Sequence, residues 1–174
     1  MGLFFFSAGN AEAPQAPAAI PSYTVTLTAY NAVPEQTDSD PWMTASGAFS
    51  NPEVIAARSV DFKDELPFGT IIELVGPSAD PKNTCGYHAV DEHIGYRVIA
   101  DVMNPRYSAR IDVLFDTASN YLMTDGTTKN AGTILGICDG VTVRVVGYVP
   151  VNKIPKTQAE LAGLVKGGTL AANK

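Results

Sequence analysis

The sequence predicts an all-β fold closed into a small barrel. Glycine and proline supply 27 of the 174 residues. Between them β-branched and aromatic side chains are frequent, a composition for strands and tight turns rather than long helices. Short apolar runs, six or seven of them, follow one another at close spacing with turn residues between them. A sandwich also accommodates such strands, but the small barrel suits so short a set best.

The first strand is "YTVTLTAYNA" (23–32), where Thr alternates with Val, Leu and Tyr at period two. A polar loop follows, "VPEQTDSDPW" and "MTASGAFSNPE", with Gly47 as a turn residue. "VIAARS" (54–59) is a short strand. "DELPFG" turns through Pro67 and Gly69, and "TIIELVG" (70–76) is the next strand. Residues 77–94 read as one long loop. Strands "YRVIADV" and "ARIDVLF" then flank a turn at Asn104 and Pro105. "DTASNYLM" (116–123), with Asp116 or Thr117 as N-cap, reads as a short helix, and "GTILGI" as a loop or short strand. "DGVTVRVVGYV" (139–149) alternates cleanly as the last strand. "TQAELAGLVKGG" reads as a small satellite helix ended by glycine. The division is an Ala/Pro segment over 1–22, a barrel over 23–150 and a tail over 151–174.

The formal net charge of −6 argues against a nucleic-acid partner, since a phosphate backbone needs a basic face. No stretch is long enough for a membrane-spanning helix. Cys85 and Cys138 fit either one disulfide, closing a loop of about 50 residues in an exported protein, or two buried thiols in a reducing compartment. The N-terminus carries a short apolar run, Leu3 to Phe6, and a small-residue Ala11–Ala13 stretch, but no basic segment. It reads either as the remnant of an export signal or as a plain tail.

Two aspartates stand where core strands should be apolar. Asp101 ends one strand, where a turn cap is the commoner role. Asp112 lies inside another, between Ile111 and Val113. A carboxyl desolvated there acquires a raised pKa, which suits a general acid; a structural aspartate bonded to backbone N–H groups is the equal alternative. Asp61, in "RSVDFKDELPFGT", reads by itself as a loop residue. His88, Asp91, Glu92 and His93 lie near Cys85, but their spacing matches no strong zinc pattern. No phosphate-binding loop, dinucleotide fingerprint, GxSxG or HExxH motif occurs, so no metal or cofactor is expected.

In order along the chain, "TLTAY" (26–30), "TASG" (44–47), "VIAAR" (54–58), "LPFGT" (66–70), "VIADVMN" (98–104), "RIDVLF" (110–115) and "VTVRVVG" (141–147) resemble the 3D domain, a family named for three aspartates. It includes the catalytic region of membrane-bound lytic transglycosylase A and the Sps/YuiC-type muralytic proteins. The resemblance spans about residues 24–148. It implies a six-stranded double-psi β-barrel with one or two short helices, and lytic transglycosylase chemistry on the glycan strands of peptidoglycan. The family's late aspartate, the general acid/base, falls on Asp112. Its second falls on Asp101, and its first is best matched by Asp61. Many members carry Asp-Thr-Gly-Gly where this chain has "DVMN".

Such chemistry needs one acid to protonate the leaving oxygen; the sugar's own 6-hydroxyl then attacks, so no activated water is required. Asp101 and Asp61 would tune Asp112 or orient substrate. Thr28, Tyr30, Thr44 and Ser46 would line the groove as hydroxyl donors, against the plainer reading of ordinary strand and turn polarity. The expectation is an exported, monomeric domain acting on cell-wall glycan without cofactor. Its rivals are an inverting glycoside hydrolase and a catalytically silent wall-binding module.

Overall fold

The computed structural model describes residues 20–37, 40–77 and 85–167. Eight strands form: β1 (Ser22–Asn31), β2 (Ile55–Arg58), β3 (Thr70–Val75), β4 (Tyr96–Val102), β5 (Arg110–Phe115), β6 (Asn120–Leu122), β7 (Thr128–Asn130) and β8 (Cys138–Tyr148). Six close into a barrel in the order β1-β5-β2-β4-β3-β8, while β6 and β7 make a separate two-stranded sheet. The expected all-β, six-stranded closed barrel is the architecture observed. Most of the expected segment 1–22 lies outside the described residues. Among the described residues no helix is long and apolar enough to cross a membrane.

Two strand pairs are parallel, β1 with β5 and β2 with β4; the other four barrel pairings are antiparallel. Exchanging β1 with β4, β2 with β5 and β3 with β8 reproduces every pairing. The barrel therefore has a two-fold symmetry of connection, with β2 and β5 paired across its axis. This interlocking of two three-stranded halves is the double-psi arrangement.

Alternation along the strands sorts side chains into two apolar clusters. Ile111, Val113 and Phe115 of β5 join Leu27, Ala56, Ile72, Ile99 and Val143 in one. Leu114 joins Tyr30, Ile55, Ala57, Ile71, Val98 and Ala100 in the other. The PxGT turn needs its glycine: Gly69 has a φ of +92°, and a Cβ there would collide with the Val149 carbonyl. Its N–H donates to Ile99 and its carbonyl accepts from Val149, lacing the turn to β4 and to the end of β8.

Three short α-helices are present among the described residues: α1 (Tyr87–Val90), α2 (Ala131–Leu135) and α3 (Gln158–Lys166). Several sequence expectations change. The long loop read over 77–94 carries α1, and "GTILGI", read as a loop or short strand, is helical as far as Leu135. Residues 116–123 are not helical. The Asp116 carboxylate accepts from the Ala118 N–H and so closes a turn, and the chain continues as β6. The helix lies instead in "AGTIL", capped by Asn130, whose side chain accepts from the Gly132 N–H. α3 is no satellite. A Thr157 capping box starts it, Leu161 is fully buried in the second cluster, and the Gln158 side-chain amide donates to the Glu53 and Tyr96 carbonyls. Cys85 and Cys138 form a disulfide, tying the loop before α1 to the start of β8.

Arg97 is buried within the barrel and has no carboxylate partner among the described residues. Its guanidinium donates to the carbonyls of Ile94, Pro52, Leu114 and His93 and lies over the Phe115 ring. The convergence of three carbonyls outside the strands and one from β5 on one fork fastens these segments together.

Candidate functional site

Strand register places the two aspartates. Thr28 of β1 pairs with Asp112 of β5. Asp112 pairs with Ala57 of β2, and Ala57 pairs with Asp101 of β4. Directly opposed residues project from the same face, so Thr28, Asp112, Ala57 and Asp101 form one row across four strands. Asp101 joins that row through a one-residue register shift: Ala56 faces Ile99, yet Ala57 faces Asp101 rather than Ala100. Such bulges re-aim a side chain. Between the two carboxylates stands a methyl group, and the space above it is open.

That space is a cavity of about 680 Å³. Asp101, Ala57, Asp112 and Tyr30 line it, together with loop residues 35–37 and the turn 102–107. The Thr28 hydroxyl donates to Asp112 Oδ1 at 2.8 Å; Oδ2 accepts no hydrogen bond among the described residues. Burial pushes the Asp112 carboxyl up to about 6. The Thr28 hydrogen bond and the nearby Arg110 charge oppose the rise, and Asp101 adds to it. Such a group holds its proton into the mildly acidic range, as a general acid must.

Asp101 is differently placed. Its Oδ2 accepts from the Tyr30 hydroxyl at 2.9 Å. Its Oδ1 accepts from the Ala45 and Val102 N–H groups at 3.0 and 2.9 Å. Both oxygens are committed to protein donors. Burial, and then Asp101 itself, raise the Tyr30 phenol well above its ordinary range, so Tyr30 remains a donor.

Of the residues read from sequence, Asp112, Asp101, Thr28 and Tyr30 come together. Thr44 and Ser46 stand behind them. Their hydroxyls bond each other at 3.0 Å, and the Ser46 N–H donates to Ala100, so the TASG turn is the bracket that delivers the Ala45 N–H to Asp101. Asp61 does not line the cavity. Its carboxylate accepts from the Ala109 N–H at 2.8 Å, where Ala109 has a left-handed φ of 52°. The hydrogen bond from Ser59, then that from Ala109, hold its carboxyl below the usual range. It fixes the entry to β5 from a distance.

Sequence reasoning singled out Thr44 and Ser46 of the rim but not its aromatic residues. Residues 42–50 form a small hairpin whose two arms carry Trp42 and Phe49, stacked at 6.4 Å between centroids and 64% and 61% exposed. Met43 and Ser50 of the same hairpin line the cavity. The visible signal was a Trp and a Phe in an otherwise polar loop. Among the described residues no three His, Cys, Asp or Glu side chains are grouped so as to hold a metal ion. Near α1, Cys85 is used by the disulfide and Glu92 accepts from the Tyr121 hydroxyl.

Comparison with protein-family models gives no match, and comparison with curated proteins gives none either.

Proposed function

We propose that this protein is a lytic transglycosylase of the 3D type, cleaving the glycosidic bonds of peptidoglycan with Asp112 as its general acid and base. The observation that carries the reading is a single proton-holding carboxyl on the wall of an open cavity. Asp112 is desolvated, steadied at one oxygen by Thr28, and displaced to about 6. The ordered segments that resemble the 3D family put their late aspartate at this position.

The chemistry follows from that one group. Asp112 gives its proton to the glycosidic oxygen as the bond to the anomeric carbon breaks. The 6-hydroxyl of the same sugar then attacks the anomeric carbon, and its proton passes to the Asp112 carboxylate, restoring the acid. The leaving strand departs with a new hydroxyl, and a 1,6-anhydro ring remains. An inverting hydrolase would need a second carboxylate free to activate water. Of the other carboxylates lining the cavity, Asp101 has both oxygens already bonded to Tyr30, Ala45 and Val102, and Glu35 lies on a loop outside the row. That supports a positioning role for Asp101. The exposed Trp42–Phe49 pair lies on the same hairpin as the cavity-lining Met43 and Ser50 and supports a sugar ligand, since pyranose C–H faces pack on aromatic rings. The Cys85–Cys138 disulfide supports an exported protein.

The test is a digest of purified peptidoglycan read by mass spectrometry, with Asp112→Asn beside the wild type. Anhydro-muramyl ends that vanish in the variant are expected. Reducing ends carrying an added water would make the protein a hydrolase. A folded wild type that yields no product would leave a wall-binding module in its place.

A further inference from the structure

The turn between β4 and β5 carries two cations on one ring. The Arg106 guanidinium lies 4.7 Å from the Tyr107 centroid and that of Arg110 4.9 Å. Arg106 Nη2 also donates to the Tyr107 hydroxyl at 2.8 Å. Arg106 and Tyr107 line the cavity. Arg110 stands behind that lining, two residues before Asp112 on β5 and therefore on the same face.

Neither arginine forms an ion pair among the described residues; the pairs found there are His93–Glu92 and Arg144–Glu73. This is unexpected for a chain with 18 acidic residues against 12 basic ones. Two like charges held around one ring repel each other, and an anion between or beside them relieves the repulsion. The planar guanidinium fork matches a carboxylate in particular. A dianion such as phosphate would face the acidic wall of Asp101, Asp112 and Glu35 at greater cost than a monoanion.

We propose that Arg106 and Arg110, clamped on Tyr107, bind a carboxylate borne by the glycan, so that the cavity selects strands whose sugars carry an acidic substituent over neutral strands of the same backbone. The proposal rests on the glycan-cleaving reading above and adds to it the recognition of substrate charge. The arginines are binding residues that exchange no proton with the substrate, although the Arg110 charge also acts on Asp112.

Binding is best measured by calorimetry on Asp112→Asn, which separates affinity from turnover. The probes are peptide-free peptidoglycan strands with their lactyl carboxylates, the same strands methyl-esterified, and N-acetylglucosamine oligomers of equal length. The acidic strands should bind about tenfold more tightly than either neutral probe, as a charge-assisted bidentate contact permits, and the gap should narrow as salt is raised. Adding Arg106→Gln should remove most of the gap, and Arg106→Lys should keep part of it. Arg106 is exposed, so both variants should fold.

Equal binding of acid and ester, or a gap untouched by Arg106→Gln, overturns the proposal. The transglycosylase reading stands or falls separately, by the wild-type digest. Cleavage without charge preference sinks only the arginine site, and preference without cleavage sinks only the catalysis. Failure to bind any strand sinks the arginine site directly.

Discussion

Replacing Asp112 with Asn should abolish cleavage and make the protein more stable at neutral pH. The wild-type carboxyl moves from 3.8 to about 6 on folding, a displacement of about two pH units. At about 1.4 kcal/mol per unit, keeping Asp112 ionised in its site costs the fold up to about 3 kcal/mol. Asn retains the oxygen that accepts from Thr28, but its amide protons need partners, which returns part of the gain. A net stabilisation of about 1–2 kcal/mol remains, or about 3–6 °C in Tm for a chain of this size. The sign fixes the pH window. Because the folded state holds the proton more tightly than the unfolded chain, stability falls as pH rises from about 4 to about 6, and the full penalty is present above that. The Asn variant has no such group to titrate. The two proteins should therefore differ least near pH 4 and most at pH 7–8, while wild-type activity declines as the acid deprotonates through about pH 6. Urea melts of both proteins at half-unit steps from pH 4 to 8 would decide it. A stability difference independent of pH, or an Asn variant weaker at pH 8 than at pH 4 relative to wild type, would refute the desolvation argument.

Tyr30→Phe removes one donor from Asp101 while leaving the ring in its cluster. Turnover should drop about tenfold, the worth of a hydrogen bond to a charged group, with a small change in melting; unchanged turnover would exclude Asp101 positioning. Cys85→Ser with Cys138→Ser opens a cross-link between residues 53 apart and should cost about 4 kcal/mol through the freed unfolded chain. Denaturant melts with and without reductant test this, and a loss under about 1 kcal/mol would mean the unfolded state is already constrained. Trp42→Ala should leave Tm nearly unchanged, because the side chain is mostly exposed. It should weaken binding of glycan oligomers several-fold by titration, and undiminished affinity would remove the aromatic pair from the ligand path.

The strands were legible because their side chains alternate or run apolar at a period a helix cannot use. β1, β3, β4, β5 and β8 all fall within a residue or two of their expected spans. Asp112 was legible for the same reason: a carboxylate inside "RIDVLF" breaks the pattern of the strand that carries it. Local propensity failed where tertiary bonds prevailed. Asp116 could cap either a helix or a turn. The Asn130 side chain, donating to the Asp116 and Thr117 carbonyls, holds the turn. "AGTIL" is a poor helix by composition, with Gly132 and the β-branched Thr133 and Ile134 among its five residues. It forms because Ala131 and Leu135, one turn apart, are both buried against the barrel. The backbone donors to Asp101, from Ala45 and Val102, and the aromatic rim residues were hidden for another reason. Met43, Ser50, Arg106 and Tyr107 are ordinary loop residues in one dimension, and only the closure of the barrel brings them to the cavity of Asp101 and Asp112.

The row Thr28–Asp112–Ala57–Asp101 shows how a topologically symmetric barrel obtains an asymmetric site. The exchange of halves maps Asp112 onto Ala57 and Thr28 onto Asp101. Equivalent positions thus carry a carboxyl in one half and a methyl in the other, a hydroxyl in one and a carboxylate in the other. The backbone departs from symmetry at the same place. β1 and β5 stay in register from Thr26 to Asn31, whereas β2 and β4 slip between Ala56 and Ala57. Without that slip Ala100 would occupy the row and Asp101 would point into the opposite cluster, where an ionised carboxylate has no donors. With it, adjacent strands about 4.8 Å apart set the two aspartates about 10 Å apart at Cα, separated by the smallest side chain that still packs. Tyr30 can then reach across from β1 to occupy Asp101, and Asp112 is left as the one carboxyl of the pair free to exchange a proton with whatever fills the cavity. The single slipped residue, more than any motif, divides the labour between the two aspartates.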